Sequence, residues 1–385
     1  MKICGIICEY NPFHNGHAYH LEQAKRISGA DFLICVMSGN FVQRGEASIF
    51  EKHLRAKHAL ECGADAVLEL PIHFASSSAE FFAKGAIKLL HSIPSFSHLC
   101  FGAENDDATA FIDAAKLLNN EPTHISSKIQ QLVSNGMSYA KARAQAFSEM
   151  IPSDFLTQSN NILGLEYTKA LLQLNSTAQI IPIKRKGANY LENNLHKNFS
   201  SASAIRLAIK ENKFEQLKNN LPDCVFKDFS EIRENNLNTL EKYAVLSSSK
   251  EELAKILDCT EGLENAFKSV AEKNAENFSE ALTSARYTSS RIKRIALQNL
   301  LQIRKEDIQN ALNSELYLSI LAIKKDNHTL LSELGKSSFP LLVKNGDYKK
   351  LSNPAKVVFE KQIFADQIYA MTTNSPYIVP NAFIE

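Results

Sequence analysis

The sequence predicts an α/β fold: a parallel sheet layered with helices, followed by a mainly helical C-terminal domain with a small mixed α/β part. Three observations carry that prediction. Short apolar runs alternate with amphipathic helical patterns as far as about residue 183. Polar, glycine-bearing loops follow several of these runs, as they do along the ligand-binding edge of an open α/β sheet. Beyond Lys210 the alternation gives way to successive helical patterns, which divides the chain into residues 1–210 and residues 211–385.

The first run, Ile3, Gly5, Ile6 and Ile7, reads as a buried strand. It breaks into Glu9-Tyr10-Asn11-Pro12-Phe13-His14-Asn15-Gly16-His17, and a helix follows to Ser28. Pro12 fixes a backbone angle, Gly16 removes a side chain where the helix opens, and His14 and His17 lie about one turn apart. Unpaired N–H groups and the positive end of the helix dipole make this junction a phosphate site to which two imidazoles can donate.

A second strand, 32–37, ends in the loop 38–46, where Gln43 and Arg44 are either substrate contacts on the rim shared with His14 or part of a solvated loop. A helix over 51–62 and a strand over 64–70 follow, and Pro71 stops the strand. Ser76 to Ser78 cap a helix over 79–90. The fourth strand, 98–101, meets Gly102, which serves either close approach of a ligand to the backbone or a plain turn.

Helical patterns over 109–118, 125–133 and 139–150 read as a covering layer. Asn160 and Asn161 open the next helix, as caps or as polar contacts. A fifth strand, 178–183, runs into Lys184-Arg185-Lys186-Gly187. Ser200, Ser201 and Ser203 open a helix with Arg206 one turn on, and these hydroxyls can cap the helix or meet phosphate. In the C-terminal half helices are expected over 240–246, 251–257, 263–272 and 292–301, then a strand over 316–322, an apolar run at 341–343 and a helix over 354–369. Residues 284–294 carry Arg286, Arg291, Lys293 and Arg294 with Tyr287 and four hydroxyls, which suits RNA phosphates and bases or the solvated face of a capped helix.

Bulk properties narrow the classes. A formal net charge of +1 means that any polyanion must be met by a local patch. The seven cysteines, an odd number without a paired Cys-x-x-Cys pattern, read as reduced core thiols of a cytoplasmic protein and give no structural zinc site. No apolar stretch is long enough for a signal or spanning segment, so no membrane partner is expected. There is no Gly-x-x-x-x-Gly-Lys-Ser/Thr loop for γ-phosphate transfer, no Gly-x-Gly-x-x-Gly after the first strand and no His-Glu-x-x-His helix. What the pieces can do on one sheet edge is hold a triphosphate for attack at its α-phosphorus, where preorganised donors suffice.

The strand with Asn11-Pro12-Phe13-His14-Asn15-Gly16-His17, together with Ser201-Ala202-Ser203-Ala204-Ile205-Arg206, resembles the His-x-Gly-His nucleotidyltransferases. With Ser38-Gly39-Asn40-Phe41-Val42-Gln43-Arg44-Gly45, Phe101-Gly102-Ala103-Glu104, Asn160-Asn161-Ile162-Leu163-Gly164 and Ser289-Ser290-Arg291, it resembles more closely the bacterial tRNA(Met) cytidine acetate ligase family. That resemblance implies a Rossmann-like nucleotidyltransferase domain and two steps. ATP and acetate give acetyl-adenylate, and the acetyl group then passes to the wobble cytidine of elongator tRNA(Met), forming N4-acetylcytidine.

Carried over by position, the ATP loop is Ile7-Cys8-Glu9-Tyr10-Asn11-Pro12-Phe13-His14-Asn15-Gly16-His17-Ala18-Tyr19-His20. His14, His17 and Arg206 take the catalytic places. Gly102, an asparagine of the pair Asn160 and Asn161, Arg185 and Ser203 complete the nucleotide site, with Arg185 open against its neighbours Lys184 and Lys186. Magnesium is expected with ATP, without identified protein ligands. Arg286, Arg291, Lys293 and Arg294 are the expected tRNA contacts. The residues leave two other readings open, a small-molecule adenylyltransferase and a non-catalytic nucleotide- or RNA-binding protein.

Overall fold

The first apolar run becomes an interior strand of the sheet, with both of its faces covered. In the computed structural model, which describes residues 1–185, 198–273, 277–377 and 383–384, the strands are β1 (Ile3–Cys8), β2 (Phe32–Ser38), β3 (Phe41–Val42), β4 (Glu46–Ala47), β5 (Ala66–Leu70), β6 (Phe96–Ala103), β7 (Gln179–Lys184), β8 (Leu318–Ile323), β9 (Leu341–Leu342) and β10 (Phe383–Ile384). The main sheet runs in the order β10-β8-β5-β2-β1-β6-β7, with β9 beside β8. β1 pairs parallel with β2 in the register Ile3 to Phe32 and Cys8 to Met37, and parallel with β6 on its other side. Strand order turns about β1, so the carboxyl ends of β1, β2, β6 and β7 share one edge, where open α/β sheets bind ligands.

Alternation along β1 sends Ile3 and Ile7 into one core and Cys4 and Ile6 into the other. A Cβ added at Gly5 would lie 2.7 Å from Leu90 Cδ1, so the helix Ala79–His91 packs against bare backbone there. That face also takes the helices Ala108–Asn119 and Ser159–Gln173 and, from the far end of the chain, Asn353–Thr372. The opposite face takes Asn15–Ser28, Lys52–Glu61 and Ala202–Lys210 through Leu21, Ala24, Ala56, Ala59, Ile205 and Ala208.

Several expected elements change when seen in place. The loop 38–46 contains an antiparallel hairpin, β3 with β4. The helix expected over 139–150 stops at Ala146, and short helices at Ile72–Ala75 and Ser153–Thr157 were not expected. The C-terminal strands build no sheet of their own: β8 lies antiparallel to β5, with Ala66 opposite Ile323, and β10 extends the same edge. The sheet therefore draws strands from both sides of residue 210. Between them, five helices among the described residues from Asn238 to Leu300 enclose a separate core that includes Val245, Leu253, Phe267, Ile292 and Ile295. All seven cysteines are free thiols, and among the described residues no helix is long and apolar enough to cross a membrane.

Candidate active site

The carboxyl edge of the sheet and the amino ends of the helices Asn15–Ser28 and Ala202–Lys210 surround one cavity. His14 is the N-cap of the first of these helices, with extended backbone, and its Nδ1 accepts from the Gly16 N–H at 3.1 Å. His17 returns the bond: its Nδ1 accepts from the His14 N–H at 3.3 Å, a capping box built from two imidazoles. The rings stack with centroids 3.7 Å apart. Because both Nδ1 atoms accept, a neutral ring carries its proton on Nε2, so each imidazole presents an N–H donor from its other nitrogen.

Both rings are held neutral. Burial, then the Arg185 and Arg206 guanidinium groups, lowers the His14 pKa to about 3. Burial and the neighbouring His14 push His17 well below the ordinary imidazole range. His20, one turn further along the cavity wall, is lowered by burial and Arg185 to about 4, and its buried Nε2 has no hydrogen-bond partner among the described residues.

Facing this pair, Arg206 donates to the Asn11 carbonyl at 2.8 Å and reaches Ser203 Oγ at 3.4 Å. Arg44, from the β3–β4 turn, donates to the same hydroxyl at 3.3 Å. Ser201 caps the helix by accepting from the Ala204 N–H, which separates the capping serine from the cavity-lining Ser203. Two arginines, a hydroxyl and two imidazole N–H groups thus line one cavity, a donor set for phosphate oxygens.

The two asparagines differ in their surroundings. Asn161 is fully buried: its Oδ1 accepts from the Glu104 and Asn105 N–H groups at 2.9 and 3.0 Å. Asn160 lines the cavity, with its Nδ2 donating to Glu104 Oε1 at 2.6 Å. Gly102 and Arg185 line it too, and a Cβ at Gly102 would stand 3.6 Å from Arg185 Cγ, with no closer neighbour. Lys186 and Gly187 lie outside the described residues. Asn161→Ala is expected to cost stability, about 1–3 kcal/mol on a denaturant melt, because it strands two amide donors. Asn160→Ala is expected to raise the KM for nucleotide with little change in the melt.

Four members of the expected loop do not reach the cavity. Pro12, Phe13, Asn15 and Ala18 are absent from its wall. Phe13 is fully buried, with its ring 4.7 Å from that of Tyr10, and Asn15 donates to the carbonyls of Asn219 and Asn220. The reason is periodic: only one side of a turn and of the helix that follows can face a ligand.

The cationic segment is corrected more strongly. Arg294 is only 9% exposed and holds Asp258 at 2.7 Å, so its guanidinium is taken up by an ion pair within the protein. Lys293 pairs with Glu46 at 2.5 Å and ties the helix Ser289–Leu300 to the β3–β4 hairpin. At Gly45, between those two strands, φ is +74° and an added Cβ would sit 2.4 Å from the Arg294 backbone nitrogen, so the helix and hairpin touch through bare backbone. Arg286 and Arg291 flank the Tyr287 ring, 5.7 and 5.2 Å from its centroid, and share Glu261.

Sequence reasoning passed over the supports behind the cavity. Arg55, fully buried, donates to the carbonyls of Phe50, Glu9, Ser38 and Gly39 and so joins the ends of β1 and β2. Lys52 is buried between Glu69 at 2.7 Å and Asp366 at 2.5 Å. Asn40 donates to Asp366 at 2.9 Å and accepts from the Lys52 N–H at 2.9 Å. Burial lowers the Lys52 pKa, but the two carboxylates outweigh it and hold the ammonium above its ordinary range, while burial raises Glu69. A signal was present: Lys52 and Arg55 fall on the same helical stripe as Ala56 and Ala59, and Glu69 interrupts an apolar strand.

With this geometry in view, the relatives agree along the whole chain. Residues 1–379 match the family model of the HIGH Nucleotidyl Transferase. The tRNA(Met) cytidine acetate ligase of Acetivibrio thermocellus is 38% identical, covering 98% of this chain and 96% of its own. That of Thermoanaerobacter sp. strain X514 is also 38% identical, over 100% and 98%. The crystal structure of Thermotoga maritima TmcAL in its apo form superposes with a TM-score of 0.93 at 30% identity, and the form bound with alpha-thio ATP with 0.88 at 30% identity; both cover 100% of each chain. The chain belongs to the tRNA(Met) cytidine acetate ligase family of HIGH nucleotidyl transferases.

Proposed function

We propose that this protein activates acetate with ATP as acetyl-adenylate and transfers the acetyl group to the wobble cytidine of elongator tRNA(Met), forming N4-acetylcytidine in the cytoplasm. One observation carries the first step: two imidazoles held neutral, each with its Nδ1 used inside the helix cap and its Nε2–H left to donate, in a cavity shared with Arg206 and Ser203. Acetate is already ionised and needs no base. One of its oxygens attacks the α-phosphorus, the bond to the β-phosphate breaks, and pyrophosphate leaves with the electron pair. The imidazole N–H groups and the guanidinium groups stabilise the charge that builds on the non-bridging oxygens. Among the described residues no group of three or more His, Cys, Asp or Glu side chains could hold a metal ion.

The test is acetyl transfer from labelled acetate into bulk bacterial tRNA, with and without ATP. ATP-dependent label in a single tRNA species is the expected result. ATP consumption with a small-molecule acceptor and no label in tRNA would move the protein to the small-molecule adenylyltransferases.

The helical bundle within residues 211–385 is the proposed tRNA-binding part, through Arg286, Tyr287 and Arg291 at its exposed corner. The side chain of Arg286 is 44% exposed and that of Arg291 is 23% exposed. Arg286→Ala with Arg291→Ala is expected to weaken tRNA binding and reduce the dependence of log K on log salt by about 1–2, with ATP affinity unchanged. Filter binding at several salt concentrations measures both slopes.

A further inference from the structure

Among the described residues that line the cavity, every charged side chain is a cation except one. Glu9, at the end of β1, is the carboxylate among the described lining residues. Its Oε1 accepts from the Gln43 N–H at 2.5 Å, and no hydrogen bond among the described residues reaches its Oε2. The charged groups around it are Arg44 from the hairpin, Arg206 from the helix Ala202–Lys210 and Arg55 from the helix Lys52–Glu61. Burial raises the carboxyl above its ordinary range, against the pull of the Gln43 amide and then of those three guanidinium groups.

A carboxylate in a triphosphate site repels the first substrate, so its use is to be sought in the second step. That step, on the activity proposed above, is attack by an exocyclic cytosine amine on the acetyl carbonyl. The amine lone pair is delocalised into the ring, which makes the nitrogen a weak nucleophile whose proton must leave as the new bond forms. The two imidazoles beside the phosphates are unsuited to take it. Their Nδ1 atoms are engaged in the helix cap, and their Nε2 atoms already carry hydrogen in the neutral rings.

We propose that Glu9 is the base for acetyl transfer, because its carboxylate belongs to the cavity wall and the Gln43 amide fixes one oxygen while no hydrogen bond among the described residues occupies the other. The N4–C bond forms, the carbonyl C–O bond to phosphate breaks, and AMP leaves with that electron pair. The N4 proton moves to Glu9 Oε2 and then to solvent. Arg44 and Arg206 keep the ionised carboxylate in reach of neutral pH and shield it from the phosphate during the first step.

The inference rests on the proposed function, so the experiment measures the two steps separately in the whole protein with purified tRNA. Acetate-dependent exchange of pyrophosphate into ATP reports adenylation, and labelled acetyl in tRNA reports transfer. Glu9→Gln, which keeps an oxygen for the Gln43 amide, is expected to lower transfer at least 100-fold more than exchange. In the parent protein transfer should rise with pH through a pKa above the ordinary carboxylate range, and Glu9→Gln should flatten that rise. Glu9→Asp should recover part of it. Equal loss in both steps, or an unchanged pH profile of transfer in Glu9→Gln, overturns the proposal. Absence of acetate-dependent exchange in the parent protein overturns the functional reading itself.

Discussion

His17→Ala lowers acetate-dependent pyrophosphate exchange by about 10²–10³-fold and leaves the chain folded. The size follows from removing one preorganised donor to the α-phosphate region. The fold survives because the ring packs only on near neighbours in sequence, Tyr10, Phe13 and His14, and its hydrogen-bonding task, accepting from the His14 N–H, is that of a helix cap. Losing such a cap costs about 1 kcal/mol. Exchange kinetics beside a thermal melt separate the two effects, and a collapsed melt would show that His17 serves the core instead. The pH behaviour has a definite sign. A histidine whose pKa is lowered on folding binds fewer protons in the native state than in the unfolded one. His14, shifted from 6.5 to about 3, therefore contributes stability above pH 6.5 that is lost progressively toward pH 3. His20, shifted to about 4, acts in the same direction. A bound triphosphate raises both pKa values, so ATP should blunt the fall in Tm between pH 7 and pH 5.

Lys52→Met destabilises the protein by about 3–5 kcal/mol at neutral pH, because Glu69 and Asp366 are left facing each other without their shared cation. The loss should shrink as pH falls. Glu69 already holds its proton more tightly than an ordinary carboxyl group, and without the ammonium it takes one up at a higher pH still. Adding Glu69→Gln and Asp366→Asn to Lys52→Met should recover most of the stability, since an uncharged buried cluster carries no unpaired charge. Denaturant melts at pH 5 and pH 8 decide it: an equal loss at both values, or no recovery in the triple variant, would mean that packing rather than charge accounts for the change. Asn40 joins this cluster to the turn that carries Gln43 and Arg44, so Lys52→Met should also slow adenylation.

Local chemistry was legible because it is local. The first motif places a strand end, a proline, two histidines one turn apart and a helix start within seventeen residues, and short-range geometry leaves such a segment little choice. The same holds for Ser201, Ser203 and Arg206 on one helical turn. Function within the family was legible for the same reason, since the motifs that carry it are short and contiguous.

What lay beyond reach were relations between distant residues. From its own neighbours Arg294 is a cation in a basic run; only Asp258, 36 residues earlier, turns it into one half of a part-buried ion pair. Lys52 looks like a surface lysine until Asp366, 314 residues later, stands beside it. Strand β8 could have edged a small separate sheet, and hydrogen bonding to β5 decides otherwise. The succession of strands and helices, the helix start with its two imidazoles and the run of donor side chains around it could be read from the chain alone, because each depends on neighbours within a turn or two. Tertiary structure alone decided which member of each cluster meets the cavity and which supports it, because burial and charge pairing are properties of position in space.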